Sequence, residues 1–251
     1  MITSQVALQL FAKRLASRSV LTGAEEAALL GLSGYTKNVK AYTDLIRMGE
    51  VTSQSCLVVK GLIGRFGQNS DGVRQITCLY IPGDMADLTS IVSPTAGWGL
   101  FALSATTVLN ISHSELRRVA TRHPGLAEAF WRDCVADGSI SSEWVVNVGH
   151  RRALARLAHL LCEMAIRCER AGQGNRHRFP LPIRQIDLGD ATGLTPVHVN
   201  RTLRELRVKS IAEVRIGTVT INDWDRLVEV GEFDPAFMLL DGPASRISEI
   251  T

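Results

Sequence analysis

The sequence predicts an α+β protein with an N-terminal antiparallel β-roll, a long central helix and a C-terminal winged helix-turn-helix. Three observations carry this reading. Short β-prone runs separated by Gly, Pro, Asn and Asp occupy roughly 39–111. A stretch broken only by Gly138 runs from Pro124 to Val148. Finally, "DLGDATGLTPVHVNRTLREL", from Asp187 to Leu206, sets two short helices around a tight corner and loads the second with arginine.

The totals bound the problem. A chain of 251 residues makes one large domain or two ordinary ones, and an apolar fraction of 45% supports a sizeable core. Residues 151–215 hold thirteen Lys and Arg against six Asp and Glu, a balance of +7 within a total of +3, which leaves −4 for the remainder. A basic segment joined to a slightly acidic one suggests a polyanion-binding module attached to something else. Cys56, Cys78, Cys134, Cys162 and Cys168 contain no C-x-x-C pair and form a poor disulfide framework. Free thiols in a reducing cytoplasm are expected. No apolar run reaches the length of a membrane span, and the first twenty residues lack the pattern of a secretory signal.

Along the chain, Thr22 and Glu25 form a capping box, and Ala27, Leu29 and Leu30 continue it as a short helix. The runs "CLVV", "RQITCLYI" and "TTVLNI" read as strands, and "NSDG" at Asn69–Gly72 reads as a hairpin turn. Several strands at this spacing indicate an antiparallel roll or barrel. Ser112, or Ser114 with Glu115 after it, starts another helix. In the long helix, Phe130, Ile140, Trp144 and Val148 share roughly one face, interrupted by Asp133 and Asp137. Such a seam can pack on a copy of itself; the alternative is packing against its own roll. Leu154, Leu157, Leu161, Met164 and Cys168 give one more amphipathic helix, ended by "AGQGN".

The corner tests well as a helix-turn-helix. Gln185 to Thr192 forms a first helix with Ile186, Leu188 and Ala191 as its apolar residues, and Gly189 is small where a second helix crosses. Gly193 tolerates the left-handed conformation of the reversal. Thr195 is the N-cap of the next helix and Pro196 its first residue, where a missing N–H costs nothing. At about 100° per residue, Val199, Leu203 and Leu206 cluster on one side. Val197, Arg201 and Arg204 point the other way, flanked by His198 and Asn200. Such a face suits the DNA major groove: Arg pairs with guanine O6/N7, Asn with adenine N6/N7, and Val197 meets a thymine methyl. An ordinary solvated helix is the alternative. "EVRIGTVTI" then reads as two short strands around Gly217, a wing able to touch phosphate through Arg215, and "NDWDRLVEV" as a closing helix.

With these parts in order, residues of about 20–235 resemble the Crp/Fnr family of bacterial transcription regulators. The resemblance rests on "IPGD" at Ile81–Asp84, "VNVGHRRALARLAHLLCEM" at Val146–Met164, "LTPVHVNRTLRELR" at Leu194–Arg207 and "VTINDWDRLVEV" at Val219–Val230. The last three are especially similar to the alpha-proteobacterial subgroup. The resemblance implies a cyclic-nucleotide-binding-like roll over 1–122, a dimerisation helix over 123–150, a winged helix-turn-helix over 151–235 and a tail over 236–251. It implies a cytoplasmic homodimer on near-palindromic double-stranded DNA, with RNA polymerase as a further partner, no membrane and no cofactor. The expected DNA-binding residues are Gln185, Thr195, Val197, His198, Asn200, Arg201, Arg204 and Arg215. Arg201 matches the family's guanine-reading arginine. Val197 stands where members often have a cytosine-reading glutamate, so the usual family operator is not expected.

The sensor departs further. Cyclic-nucleotide members use a glutamate for the ribose and an arginine for the phosphate after the "PGD" turn. Here there is no Lys or Arg between Arg74 and Arg117, and no Glu between Glu50 and Glu115. A buried phosphate without a cationic partner is costly, so cAMP binding is not expected. The iron–sulfur members carry cysteines near the N-terminus, whereas the first here is Cys56. Cys78 as a redox or haem ligand and His159 with Cys162 as a metal pair are weaker readings than buried core residues. A regulator answering to a small anion held by backbone contacts is the first alternative. A β-roll enzyme with an accessory basic domain is the second, although no nucleophile–base pair, metal-ligand set or phosphate loop is evident.

Overall fold

The computed structural model of the chain describes residues 4–240 and 242. They divide into two compact units, one of 4–65, 80–140 and 236–240, the other of 66–79 and 141–235. Of the expected tail, 241 and 243–251 lie outside the described residues.

The first unit opens with two helices, α1 (Ser4–Ala16) and α2 (Gly23–Leu30). The Thr22 side chain accepts the Glu25 N–H while the Glu25 carboxylate accepts the Thr22 N–H at 2.7 Å, so the expected capping box is present. Seven strands follow along the chain, with the end of β4 and most of β5 counted in the second unit: β1 (Tyr35–Val39), β2 (Asp44–Ile46), β3 (Gln54–Lys60), β4 (Ile63–Gln68), β5 (Arg74–Tyr80), β6 (Gly99–Ala102) and β7 (Thr106–Ser112). They build an antiparallel sheet of order β1-β7-β3 and a sheet of order β2-β6-β4-β5. Strand structure begins at Tyr35, before the expected start near Val39. In the β4–β5 turn, the Asn69 side chain accepts the N–H of Asp71 and of Val73, and Gly72 takes a φ of +81°. The "NSDG" hairpin is thus fixed by Asn69 itself.

Ser112, not Ser114, caps α3 (His113–Arg122), and α4 (Pro124–His150) follows. Phe11, Leu15, Leu57, Leu109, Leu126 and Phe130 belong to one apolar cluster, with the Phe11 and Phe130 rings stacked at 6.1 Å. Phe130, Ile140 and Trp144 are buried within their own chain, so the face expected to be free for a second copy is already occupied. Asp133 and Asp137 belong to that covered face instead of interrupting an exposed one. Arg14 reaches Asp133 and Asp84 at 2.7 Å each, Arg18 reaches Asp133 at 3.2 Å, and Tyr80 donates to Asp137 at 2.7 Å. Buried carboxylates persist here because cations and donors meet them.

The second unit is built on α5 (Ala153–Arg170). Leu157, Leu161, Met164 and Cys168 are buried as expected, while Leu154 is half-buried. The helix is less amphipathic than its spacing suggests, since Glu163 and Arg167 are buried too. Arg167 holds Glu163 at 2.8 Å, the Trp144 indole N–H donates to Glu163 at 2.7 Å, and Arg167 donates to the Leu79 carbonyl. Around α5 stand β8 (Arg178–Pro180), α6 (Gln185–Thr192), α7 (Pro196–Val208), β9 (Ala212–Arg215), β10 (Thr218–Ile221) and α8 (Trp224–Gly231). The wing has three strands, order β8-β10-β9, one more than the sequence suggests.

Candidate nucleic-acid interface

The corner between α6 and α7 follows from its residues one at a time. Gly193 ends α6 at φ 64°, ψ 36°, the left-handed conformation that glycine adopts without strain. Gly189 permits the close crossing: a Cβ there would lie 2.5 Å from the Leu194 carbonyl oxygen. Arg156 donates to the Thr192 and Gly193 carbonyls at 3.2 and 3.3 Å, bringing a cation to the negative end of α6. Sequence reasoning missed this role, because Arg156 lies on another helix. Thr195 caps α7 by accepting the His198 N–H, and Pro196 occupies the first turn.

The helix α7 is anchored by Val199, Thr202 and Leu206, all buried. Thr202 takes the inner place expected for Leu203, which is half-buried, and donates its hydroxyl hydrogen to the His198 carbonyl at 2.8 Å. On the outward side Val197, His198, Asn200, Arg201 and Arg204 are exposed, Val197 at 77%. Among the described residues, Arg201 and Arg204 make no ion pair or hydrogen bond. Asn200 donates to Gln185 at 3.4 Å, which ties the start of α6 to the middle of the outward face. Ile186, expected among the inner residues of α6, is half exposed at 50%. Asp187 is buried there instead and accepts from Arg184 at 2.8 Å. Arg207 and Val208 extend the exposed line by one more turn. Their spacing of three and four from Arg204 is the signal that could have found them.

Arg215 is exposed at the end of β9, 3.6 Å from Glu213. The wing is pinned to α7 by the Ile211 N–H, which donates to the Leu206 carbonyl at 2.9 Å. The structure therefore brings Gln185, Thr195, Val197, His198, Asn200, Arg201, Arg204 and Arg215 together in one unit.

Residues 155–230 match the family model of the Crp-like helix-turn-helix domain. These residues carry a Crp-like helix-turn-helix domain. The chain is 24% identical to the anaerobic regulatory protein of Haemophilus influenzae over 74% of this chain and 72% of that one. To the nitrogen fixation regulation protein FixK of Bradyrhizobium diazoefficiens it is 25% identical, over 69% of this chain and 72% of that one. The solved structure of FixK2 from Bradyrhizobium japonicum shares the fold at a TM-score of 0.72 and 24% identity, covering 79% of this chain and 98% of that one. Both curated relatives are named as regulatory proteins, and the matched helix-turn-helix domain lies within the second unit of this chain.

In the roll a cavity of about 150 Å³ is lined by Ile46, Asp87, Ser90, Thr95 and Trp98, among others. Its lining includes no Lys or Arg. Arg65 places its guanidinium 4.9 Å from the Trp98 ring and pairs with Asp137 at 3.4 Å, a nearby cation that the count between Arg74 and Arg117 overlooks. Asp87 accepts the Cys56 N–H at 2.6 Å, and burial pushes its carboxyl up to about 6. The Ser90 hydroxyl meets His113 Nε2 at 2.8 Å. Cys78 is fully buried. His159 Nδ1 lies 3.1 Å from the Gly231 carbonyl, and burial with the nearby Arg151 lowers its pKa. Among the described residues no group of three His, Cys, Asp or Glu could hold a metal.

Proposed function

We propose that this chain is a transcription regulator of the Crp/Fnr type that acts as a homodimer, laying one α7 per protomer into successive major grooves of a near-palindromic duplex about one helical turn apart. The observation that carries this reading is the division of α7. Three anchors face inward, and Val197, His198, Asn200, Arg201 and Arg204 face out. Arg201 makes the main base contact, bidentate to a guanine. Asn200, held by Gln185, reads or positions beside it with His198 and Arg204, and Val197 offers methyls where a glutamate would have accepted from cytosine. Thr195 fixes the start of the helix, and Arg215 meets phosphate from the wing.

The proposed dimer seam differs from the one the apolar pattern suggests. Trp131, Val135, Gly138, Ser142, Val145 and Gly149 are all exposed on α4 and recur at alternating spacings of four and three. That is the period with which two helices pack side by side, and small residues in its middle allow close approach. The regulator works in the cytoplasm, where its free cysteines stay reduced.

The proposed regulator does not bind cAMP. The roll cavity offers a carboxylate and hydroxyls but no cation for a phosphate, and Arg65 is engaged by Asp137. A second reading, a regulator responsive to another small ligand, draws its support from the existence of that cavity. Calorimetric titration separates the two, and micromolar cAMP binding would overturn the first.

The main test is operator selection from random duplexes by the purified protein, followed by Arg201→Ala. The variant should lose ~1–3 kcal/mol of discrimination at one base pair per half-site. An unchanged ratio of operator to scrambled binding would remove Arg201 from its assigned role.

A further inference from the structure

The turn that joins β9 to β10 is made by Ile216 and Gly217, both with positive φ, +48° and +68°. Two-residue turns with positive φ at both positions favour Asn-Gly, Asp-Gly or Gly-Gly. A β-branched residue fits that conformation worst, because its Cβ crowds the following carbonyl. Ile216 carries this strain and recovers nothing from packing in the free chain, since it is 102% exposed. The tip is nonetheless held in place. A Cβ on Gly217 would lie 3.4 Å from Pro182 Cα, and the Leu181 N–H donates to the Gly217 carbonyl at 2.8 Å. A strained, fully exposed aliphatic on an anchored tip is a feature that folding alone does not explain.

Its neighbours indicate the occupant. Arg215 precedes it, exposed and on the same wing, and the Ile211 backbone fixes the wing to the end of the reading helix. Residues 151–215 have a balance of +7, so a polyanion is drawn to the segment that ends at this wing. We infer that Ile216 is a DNA-contacting residue whose aliphatic side chain packs into the minor-groove edge of the duplex beside the recognition helix. There it meets deoxyribose and base edges, as apolar side chains inserted into minor grooves do. Arg215 supplies the charge and Ile216 the apolar contact. The inference rests on the DNA-binding reading above and adds to it a contact that does not depend on salt.

The test uses the full chain, its selected operator duplex, and the variants Ile216→Asn, Ile216→Leu and Arg215→Ala. Ile216→Asn should raise the melting temperature, because Asn suits the turn, yet weaken operator binding ~10-fold through the lost apolar contact. The slope of log K against log salt should stay at the wild-type value, since no phosphate contact is removed. Ile216→Leu should bind within roughly 3-fold of wild type, because apolar bulk is kept. Arg215→Ala should reduce the slope by about 1. If Ile216→Asn melts higher and binds as tightly as wild type, the inference is wrong. It is also wrong if that variant's lost affinity comes with a reduced slope, which would mean that only the placement of Arg215 was disturbed. Failure of the wild-type chain to bind any duplex would sink the underlying reading, and this contact with it.

Discussion

Asp87 shows how one residue ties the roll to pH. Its carboxyl is buried, accepts one backbone N–H and one hydroxyl, and has its pKa pushed up from 3.8 to about 6 because burial outweighs both hydrogen bonds. A carboxyl that binds its proton more tightly when folded stabilises the fold fully below its unfolded pKa. That contribution is lost as pH rises through the folded value. Stability from Asp87 therefore falls between roughly pH 4 and pH 6. Asp87→Asn keeps the acceptor for Cys56 and removes the titration. Thermal melts from pH 4 to 7 should show the variant gaining on wild type across that window. An identical pH profile for the two proteins would mean that Asp87 stays charged. The same position shows what sequence reading can miss. Asp87 is one acidic letter in "GDMADL", and its partners Cys56 and Ser90 converge on it only after the roll has closed.

At the scale of the element, the α6–α7 corner was legible because its determinants are local. Gly193, Thr195 and Pro196 each act within a few residues of themselves, so a linear reading recovers the boundary. The corner also carries a sharp prediction. Gly189→Ala puts a methyl against the Leu194 carbonyl at 2.5 Å and should destabilise the chain by ~1–3 kcal/mol, measured by denaturant titration. A wild-type midpoint would show that the two helices can separate freely. Phasing was less legible. A 100° projection sets Thr202 and Leu203 on adjacent flanks, and hydrophobicity favours Leu203. The hydroxyl of Thr202 is nonetheless satisfied by the His198 carbonyl, which lets it take the buried place. For α4 the difficulty was greater. Asp133 and Asp137 look like solvent positions until Arg14, Arg18 and Arg65 arrive from distant parts of the chain. With those ion pairs unseen, the wrong face of the helix was expected to be free.

For the whole molecule, the proposed seam on the exposed face of α4 becomes a test of assembly. Val135→Glu with Val145→Glu places charges on the exposed seam and leaves Phe130, Ile140 and Trp144 untouched. Sedimentation should then report a monomer with unchanged secondary structure. Operator affinity should drop roughly 100-fold or more, because the second half-site is no longer bound by a linked partner. A dimer that survives both substitutions would move the interface elsewhere. Charge asymmetry along the chain was legible from composition alone, while the third wing strand, the buried Glu163–Arg167 pair and the cation beside Trp98 depend on contacts distant in sequence. One last consequence follows from how α7 is moored. Its grip on the protein body runs through Val199, Thr202 and Leu206, and the side chains of Arg201 and Arg204 are committed to no other described residue. Those outward letters can be rewritten at little risk to folding. On the proposed reading of α7, a sister regulator with a different genomic address is therefore only a few codons away.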